Sequence, residues 1–118
     1  NTFDVCFCNH VMEHVDDDIK CMSEIHRVLK PGGWAIIQSP LDKSRATTYE
    51  DANIITPEDR EIHFLQSDHV RLYGLDYGQR LQKAGFNVLE DDFAEKMSIE
   101  KAKRYCITRG EVIYFCSK

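Results

Sequence analysis

The first 38 residues constrain the fold most, because a strand pattern, a helix pattern and a second strand pattern follow one another there. Residues 3–8 are almost wholly apolar, which is typical of a strand buried on both faces of a parallel sheet. The three aspartates at residues 16–18 provide an N-cap and a negatively charged first turn for a helix. Residues 34–38 form the next strand. This order predicts two parallel strands joined by a right-handed crossover.

The helix between these strands has one apolar face and a defined end. Its apolar residues recur at three- and four-residue spacing and therefore share one side: Ile19, Met22, Ile25 and Leu29. Lys30 precedes a proline, which disfavours helical geometry, and the glycines at 32–33 supply the turn into the second strand. The helix is thus predicted to pack against the sheet that it connects.

The rest of the chain combines one long polar segment with further regular elements. Residues 41–68 show no sustained period, which predicts a variable, substrate-side excursion with one short helix beginning after Thr56. Beyond the excursion the pattern predicts two helices and two strands, at residues 75–84, 98–104, 86–89 and 110–116. We expect a single domain over residues 1–118, with an α/β fold whose sheet is mostly parallel and whose last strand is antiparallel.

Charge and cysteine content restrict the partners and the compartment. The net charge of −5, from 15 basic and 20 acidic residues, argues against a nucleic-acid surface. The apolar runs are too short to span a bilayer, and no signal-peptide pattern is present. Five cysteines without a disulfide-like spacing indicate a reducing compartment. We therefore expect a cytoplasmic protein without nucleic-acid or membrane partners.

Three segments resemble class I S-adenosylmethionine-dependent methyltransferases of the type 11-like group. The F-D-V at residues 3–5, followed by N-H-V-M-E-H-V at 9–15, is similar to the family's fourth strand and the loop after it. R-V-L-K-P-G-G at 27–33 resembles the helix exit into the fifth strand, and L-Q-K-A-G-F at 81–86 resembles the helix end before the sixth. The resemblance extends over residues 3–115. It implies a truncated Rossmann-like sheet made of the family's fourth, fifth, seventh and sixth strands.

The resemblance also implies a function and a cofactor. It implies methyl transfer from S-adenosylmethionine to a small molecule. It places Cys8, Asn9, His10, Val11 and His14 beside the cofactor, chiefly through backbone contacts and shape, and it implies no catalytic residue.

Two groups of polar residues allow more than one interpretation. Glu13 and His14 are candidates for an acid–base pair, or for residues that brace the loop after the first strand, which we favour. His69, Arg71 and Tyr73 follow the excursion and are candidates to contact a substrate, because an arginine pairs well with a carboxylate or phosphate. The alternative for these three is a surface segment with scattered charge.

A metal site is the weakest of the functional hypotheses. Cys6, Cys8, His10 and His14 follow the pattern C-x-C-x-H-x-x-x-H, which suggests zinc. However, the two cysteines lie in a buried-type strand and not in a ligand-bearing loop. We therefore expect no metal, and a metal-binding domain is only a third hypothesis for the function.

The family's glycine-rich turn and its ribose-binding acidic residue have no counterpart in these 118 residues. The chain also enters its first strand within two residues of Asn1. We therefore expect a fragment, the C-terminal half of the fold, that binds S-adenosylmethionine weakly or not at all and is inactive alone. The competing hypothesis is a non-catalytic assembly module or pseudoenzyme. Residues 3–8 would leave an open strand edge, which predicts a homodimer.

Overall fold

The computed structural model describes residues 1–118 and contains one four-stranded sheet. The strands are β1 (Phe3–Asn9), β2 (Leu29–Gln38), β3 (Asn87–Asp91) and β4 (Ile113–Ser117). Their order in the sheet is β1-β2-β4-β3. β1 runs parallel to β2, whereas β4 is antiparallel to both of its neighbours. The predicted α/β fold, the antiparallel last strand and the truncated strand order are confirmed.

Five helices connect the strands, and a 3₁₀ turn at Met12–His14 follows β1. The helices are α1 (Asp18–Val28), α2 (Pro57–Phe64), α3 (Tyr77–Lys83), α4 (Phe93–Lys96) and α5 (Ile99–Arg104). Side chains cap three of them: Asp17 accepts from the Lys20 amide, Thr56 from the Asp59 amide and Ser98 from the Lys101 amide. The aspartate cap was predicted from the sequence. None of the helices has the length and apolar character needed to cross a membrane.

The core lies on one face of the sheet, beneath α1 and α3. It contains the side chains of Met12, Met22, Leu29, Ala35, Ile37, Tyr73, Tyr77, Leu81, Ala84, Phe86, Tyr114 and Cys116. Three tyrosines form an edge-to-face series in this core, with ring centroids 4.7 Å apart for Tyr73 and Tyr77 and 4.8 Å apart for Tyr77 and Tyr114. The series joins the end of the excursion to α3 and to β4.

The opposite face of the sheet is open to solvent, so the prediction that residues 3–8 are buried on both faces was wrong. Only Cys6 and Cys8 of β1 face the core, and Phe7 on the other side is 67% exposed. Trp34 and Phe115 continue the open face beside Phe7. The centroid of the Trp34 ring lies 5.7 Å from that of Phe7 and 5.3 Å from that of Phe115. Both α1 and α3 lie on the same side, because successive right-handed crossovers in one direction place their helices on one face.

Several boundaries also differ from the sequence prediction: β4 begins at Ile113 and not at residue 110, and β3 ends at Asp91 and not at residue 89. β2 begins at Leu29 and not at residue 34, because the glycine pair lies within the strand: a Cβ on Gly33 would lie 3.0 Å from the Asp4 carbonyl oxygen. α3 begins at Tyr77 and not at residue 75. Leu75 is exposed and not inward-facing: it lies in a turn before α3, and its amide donates to the Arg45 carbonyl.

Candidate active site

The carboxyl ends of β1 and β2 lie side by side, at the sheet edge where open α/β folds bind ligands. Asn9 pairs with Gln38, and the His10 amide donates to the Gln38 carbonyl at 2.8 Å. His10 has a φ of 56°, a left-handed conformation that ends the strand in a sharp turn. Asn9, His10 and Val11 are all exposed. Three of the residues predicted to line the cofactor are therefore available at this edge.

A cavity of about 350 Å³ lies next to this turn. Its polar lining comes from the turn itself, the segment after β2 and the segment before β4: His10, Gln38, Ser39, Lys43, Thr108, Arg109 and Glu111. Lys43 donates to the Gly110 carbonyl, and the guanidinium of Arg109 lies 3.0 Å from the Glu95 carboxylate. The cavity thus has fixed charges and hydrogen-bonding groups, as small-molecule sites generally do.

A buried carboxylate lies beside this cavity. Glu13 is 2% exposed, and its Oε2 atom accepts a hydrogen bond from the Ser39 hydroxyl at 2.8 Å. The Tyr77 hydroxyl donates to the Ile37 carbonyl and lies 3.5 Å from the same serine. Burial raises the pKa of Tyr77 well above its ordinary value, so it remains a donor. The other carboxylate oxygen, Oε1 of Glu13, is buried without a hydrogen-bond partner.

Histidines surround the unpaired oxygen of Glu13. His10 Nδ1 lies 3.5 Å from Oε1, and His14 Nε2 lies 3.8 Å from it. His14 Nδ1 is 3.2 Å from the backbone carbonyl of Asp68. The His69 ring, 5% exposed, meets the His14 ring edge-on at 4.8 Å between centroids. The structure therefore brings together residues that the sequence analysis assigned to the cofactor side and to the substrate side.

Comparison with known sequences identifies the family. The sequence model of a family described as a methyltransferase domain matches residues 1–91. The chain belongs to this methyltransferase family. A search of curated proteins found no match to it.

Solved structures share the fold of this methyltransferase chain. An S-adenosylmethionine-dependent methyltransferase from Mesorhizobium loti superposes with a TM-score of 0.62 at 14% identity, over 98% of this chain and 62% of that one. A chain in the complex of the Haloferax volcanii Trm112 methyltransferase activator with a methyltransferase gives 0.56 at 19% identity, over 98% and 54%. The present chain therefore spans less than two thirds of the length of these neighbours.

Arg71 of the methyltransferase chain holds the turn after β1 in place. It is almost fully buried, and its Nη1 atom donates to the carbonyls of Met12 at 2.6 Å and Val15 at 2.5 Å. Its Nη2 atom donates to the Asp16 carbonyl and its Nε atom to the Glu50 carboxylate. Because these bonds occupy the guanidinium, the structure gives Arg71 a positioning role, and its predicted contact with a substrate stays a prediction.

Tyr73 belongs to a second buried network, which the sequence analysis missed. Its hydroxyl donates to Asp18 at 2.8 Å, and Arg80 donates to both carboxylate oxygens of Asp18 at 2.8 Å and 2.7 Å. Burial raises the pKa of Tyr73. Burial of Asp18 acts to raise its pKa too, but the hydrogen bonds from Arg80 and Tyr73 outweigh it and the pKa is lowered. The substrate role predicted for Tyr73 and His69 stays a prediction.

The thiol of Cys8 is unsuited to nucleophilic chemistry. Burial, followed by the nearby Cys6, Cys21 and Glu13, raises the pKa of Cys8 to about 11, so the thiol stays protonated near neutral pH. Cys8 packs against the hydrophobic core. The cysteines also take no part in the group of metal-ligand type that the fold assembles, which consists of Glu13, His14 and His69.

The residues present fit one wall of an S-adenosylmethionine site. Asn9, His10 and Val11 offer an exposed turn at the correct edge of the sheet. The glycines serve other purposes: Gly85 ends α3 with a φ of 107°, and Gly74 lies against the backbone of Thr47. A glycine-rich cradle and an acidic partner for the ribose have no counterpart within residues 1–118. The chain by itself therefore does not fit the whole cofactor.

Proposed function

We propose that this chain forms the acceptor-side part of an S-adenosylmethionine-dependent methyltransferase acting on a small molecule. The observation that carries the proposal is the polar cavity of about 350 Å³ at the carboxyl ends of β1 and β2, with His10 in its lining. Membership of the methyltransferase family supports the same reaction. The cofactor would approach from the side of Asn9, His10 and Val11, and the acceptor would occupy the cavity.

The chain's own contribution is to hold and orient the acceptor. Methyl transfer to a good nucleophile depends mainly on proximity and alignment, and the cofactor, when bound, supplies the activated methyl group. Gln38 fixes the shape of the cavity, because its side chain donates to the Val112 carbonyl at 2.9 Å and accepts from the Tyr114 amide at 2.7 Å. The Ser39 hydroxyl donates to the Glu13 carboxylate at 2.8 Å, and this hydrogen bond supports the cavity from below.

Binding of the cofactor requires groups from outside these 118 residues. The isolated chain should therefore bind S-adenosylmethionine weakly or not at all and should be inactive. All five cysteines are free, which supports a reducing, cytoplasmic location. Without the additional groups the chain would act as the alternative non-catalytic assembly module.

The proposal is tested by binding measurements on two preparations. Titration calorimetry of S-adenosylmethionine into the 118-residue chain should give no saturable heat in the micromolar range. The protein purified from its natural source should crosslink to radiolabelled S-adenosylmethionine under ultraviolet light, with the label on residues 8–11. Failure of the native protein to take up label would favour the non-catalytic module. Micromolar binding to the isolated chain would show that these residues suffice for a cofactor site.

We also propose that the isolated chain forms a homodimer through β1 and the open face. The outer edge of β1 has no neighbouring strand, which leaves backbone donors and acceptors free. Phe3 and Phe7 are more than half exposed beside it, and Leu89 extends the apolar face. Two such faces would bury an apolar area on the order of 1,000 Å², near the lower limit for a stable interface. A second copy supplies both the strand pairing and the burial.

Light scattering at micromolar concentration should give twice 13.7 kDa. Val5→Lys places a charge on the open face and should yield the monomer, whereas Val11→Lys is the matched control. These two valines are similarly exposed, at 38% and 40%, but Val11 lies outside β1. A monomeric parent chain, or a dimer that persists in Val5→Lys, would contradict this arrangement.

A further inference from the structure

The buried carboxylate of Glu13 has one oxygen that no protein group hydrogen-bonds. One of its oxygens accepts from Ser39, but Oε1 is buried and accepts no hydrogen bond. A buried acceptor without a partner costs about 1–3 kcal/mol, and more when it is charged. The groups nearest to Oε1 are ring nitrogens of His10 and His14, at 3.5 Å and 3.8 Å. Each of these is too far for a hydrogen bond and close to the separation of two ligands on one metal ion.

The tautomer of His14 favours a cation at this place. Its Nδ1 atom lies 3.2 Å from the backbone carbonyl of Asp68 and 3.3 Å from the Asp68 carboxylate, and because both groups only accept, Nδ1 carries a proton. In the neutral ring the Nε2 lone pair then faces the carboxylate of Glu13. Two lone pairs that face each other across 3.8 Å repel unless a positive charge lies between them. A histidine fixed through one nitrogen by a backbone carbonyl is the usual arrangement of a metal-ligating imidazole.

His69 supplies the third ligand of suitable type. One nitrogen of His69, one of His14 and one oxygen of Glu13 all lie within 4.8 Å of one another. Small side-chain rotations would bring them to a shared ion, at about 2.0–2.2 Å from each atom. His69 and Glu13 are both buried, so neither ligand must first be drawn out of water.

The backbone that carries these ligands is held on both sides. The Val70 amide donates to the Glu13 carbonyl at 2.9 Å, which ties the His69 segment to the turn. Arg71 binds the carbonyls of Met12 and Val15, immediately before and after the two ligands of the turn. Such support preorganises a site and reduces the loss of side-chain freedom on binding.

We propose that Glu13, His14 and His69 bind a divalent first-row transition metal ion, with the exposed His10 as a fourth ligand. Two or three imidazoles and one carboxylate suit Zn²⁺, Co²⁺ or Fe²⁺ better than Mg²⁺ or Ca²⁺, which prefer oxygen ligands. The proposal replaces the expectation, drawn from the sequence, that the chain holds no metal. The test of this site does not depend on methyl transfer, because the ligands are the chain's own residues and ion binding is measured directly.

The test is a titration of the purified, metal-stripped protein with ZnCl₂, followed by calorimetry, and with Co²⁺, followed by visible absorption. One ion per chain should bind with a micromolar or lower dissociation constant, and Co²⁺ should show the bands of a nitrogen- and oxygen-ligated site. Glu13→Gln and His69→Gln should each weaken binding by at least about tenfold. His63→Gln is the matched control, because His63 is exposed and pairs with Tyr49 away from the site.

Several results would overturn the proposal. One is the lack of saturable binding below millimolar Zn²⁺; another is binding that survives Glu13→Gln but disappears in Cys8→Ser, which would place the ion on the cysteines. Nitrogen chemical shifts showing a His14 imidazolium in the stripped protein, unchanged by Zn²⁺, would show that a proton neutralises Glu13 instead. If Glu13→Gln fails to fold, His10→Ala provides a second variant for the same binding measurement. The His10 side chain is mostly exposed, and its loss should still weaken binding measurably.

Discussion

Asp18→Asn removes the charge at the centre of a buried polar network while leaving the shape of the side chain nearly unchanged. Asp18 is buried, and Arg80 donates two hydrogen bonds to it while Tyr73 donates a third. The asparagine retains one carbonyl oxygen, which suffices for the tyrosine. With that oxygen at the Oδ2 position the bond from Arg80 Nε also persists, but the NH₂ group replaces Oδ1 and faces Arg80 Nη2, so one charge-assisted bond is lost and the guanidinium loses its charged partner.

The magnitude follows from these contacts. Removing one member of a buried ion pair costs about 3–5 kcal/mol. Arg80 retains a weaker contact to Glu50 at 3.3 Å, which places the expected loss at the lower end, about 3 kcal/mol. For a domain of this size each kcal/mol lowers the melting temperature by roughly 4 °C, so the midpoint should fall by roughly 12 °C. Asp17→Asn is the matched control, because asparagine caps a helix as well as aspartate and the change should stay within about 0.5 kcal/mol.

Urea unfolding at fixed protein concentration measures both variants, and pH provides a second test. The pKa of Asp18 is lowered in the folded protein from an ordinary value of 3.8. The contribution of ionised Asp18 to the free energy of unfolding is therefore complete above the ordinary pKa, and it is lost as the pH falls through the lower pKa of the folded state. The difference in free energy of unfolding between the parent protein and Asp18→Asn should be constant from neutral to mildly acidic pH and should become smaller below about pH 4. A loss no larger than that of Asp17→Asn, or a gap that does not depend on pH, would refute this account.

Two further substitutions test the frame around the candidate site. Arg71→Lys should destabilise the protein by about 2 kcal/mol, because one ammonium group cannot serve three backbone carbonyls and Glu50. The turn at residues 10–16 should become more sensitive to proteolysis, and unchanged cleavage would contradict the positioning role. Gly74→Ala should cost about 2 kcal/mol in thermal unfolding, since its Cβ would lie 2.6 Å from the Thr47 carbonyl carbon. A change under about 0.5 kcal/mol would show that the excursion moves aside freely.

The parts of the fold that the sequence predicted correctly depend on contacts close in the chain. The first crossover follows from the apolar period of α1 and from the aspartate cap at Asp17, both within about thirty residues. The proline after Thr56 and the serine at residue 98 are short-range signals, and they correctly located the starts of α2 and α5. The start of α3 was missed because Leu75 fits a helical period, whereas in the structure it lies in a turn and its amide donates to Arg45, thirty residues earlier.

The candidate site could be predicted only in part, because its decisive contacts join residues far apart in sequence. The sequence located Asn9, His10 and Val11 at the carboxyl end of the first strand, because a turn after a parallel strand is both a local signal and a ligand-binding position; their contact with the cofactor stays a prediction. The approach of His69 to Glu13 spans 56 positions, and the pairing of Asp18 with Arg80 spans 62. No local pattern encodes either one.

The handedness of the strand connections, and not the hydrophobicity of β1, determines which face of the sheet is exposed. The apolar run of β1 has the composition of a strand covered on both sides. Both crossovers proceed in the same direction along the sheet from β1, and right-handed connections in one direction place α1 and α3 on one side only. Trp34, Phe7 and Phe115 are therefore left as an aromatic row without a covering layer. In the proposed homodimer, a second copy of the chain would cover this row.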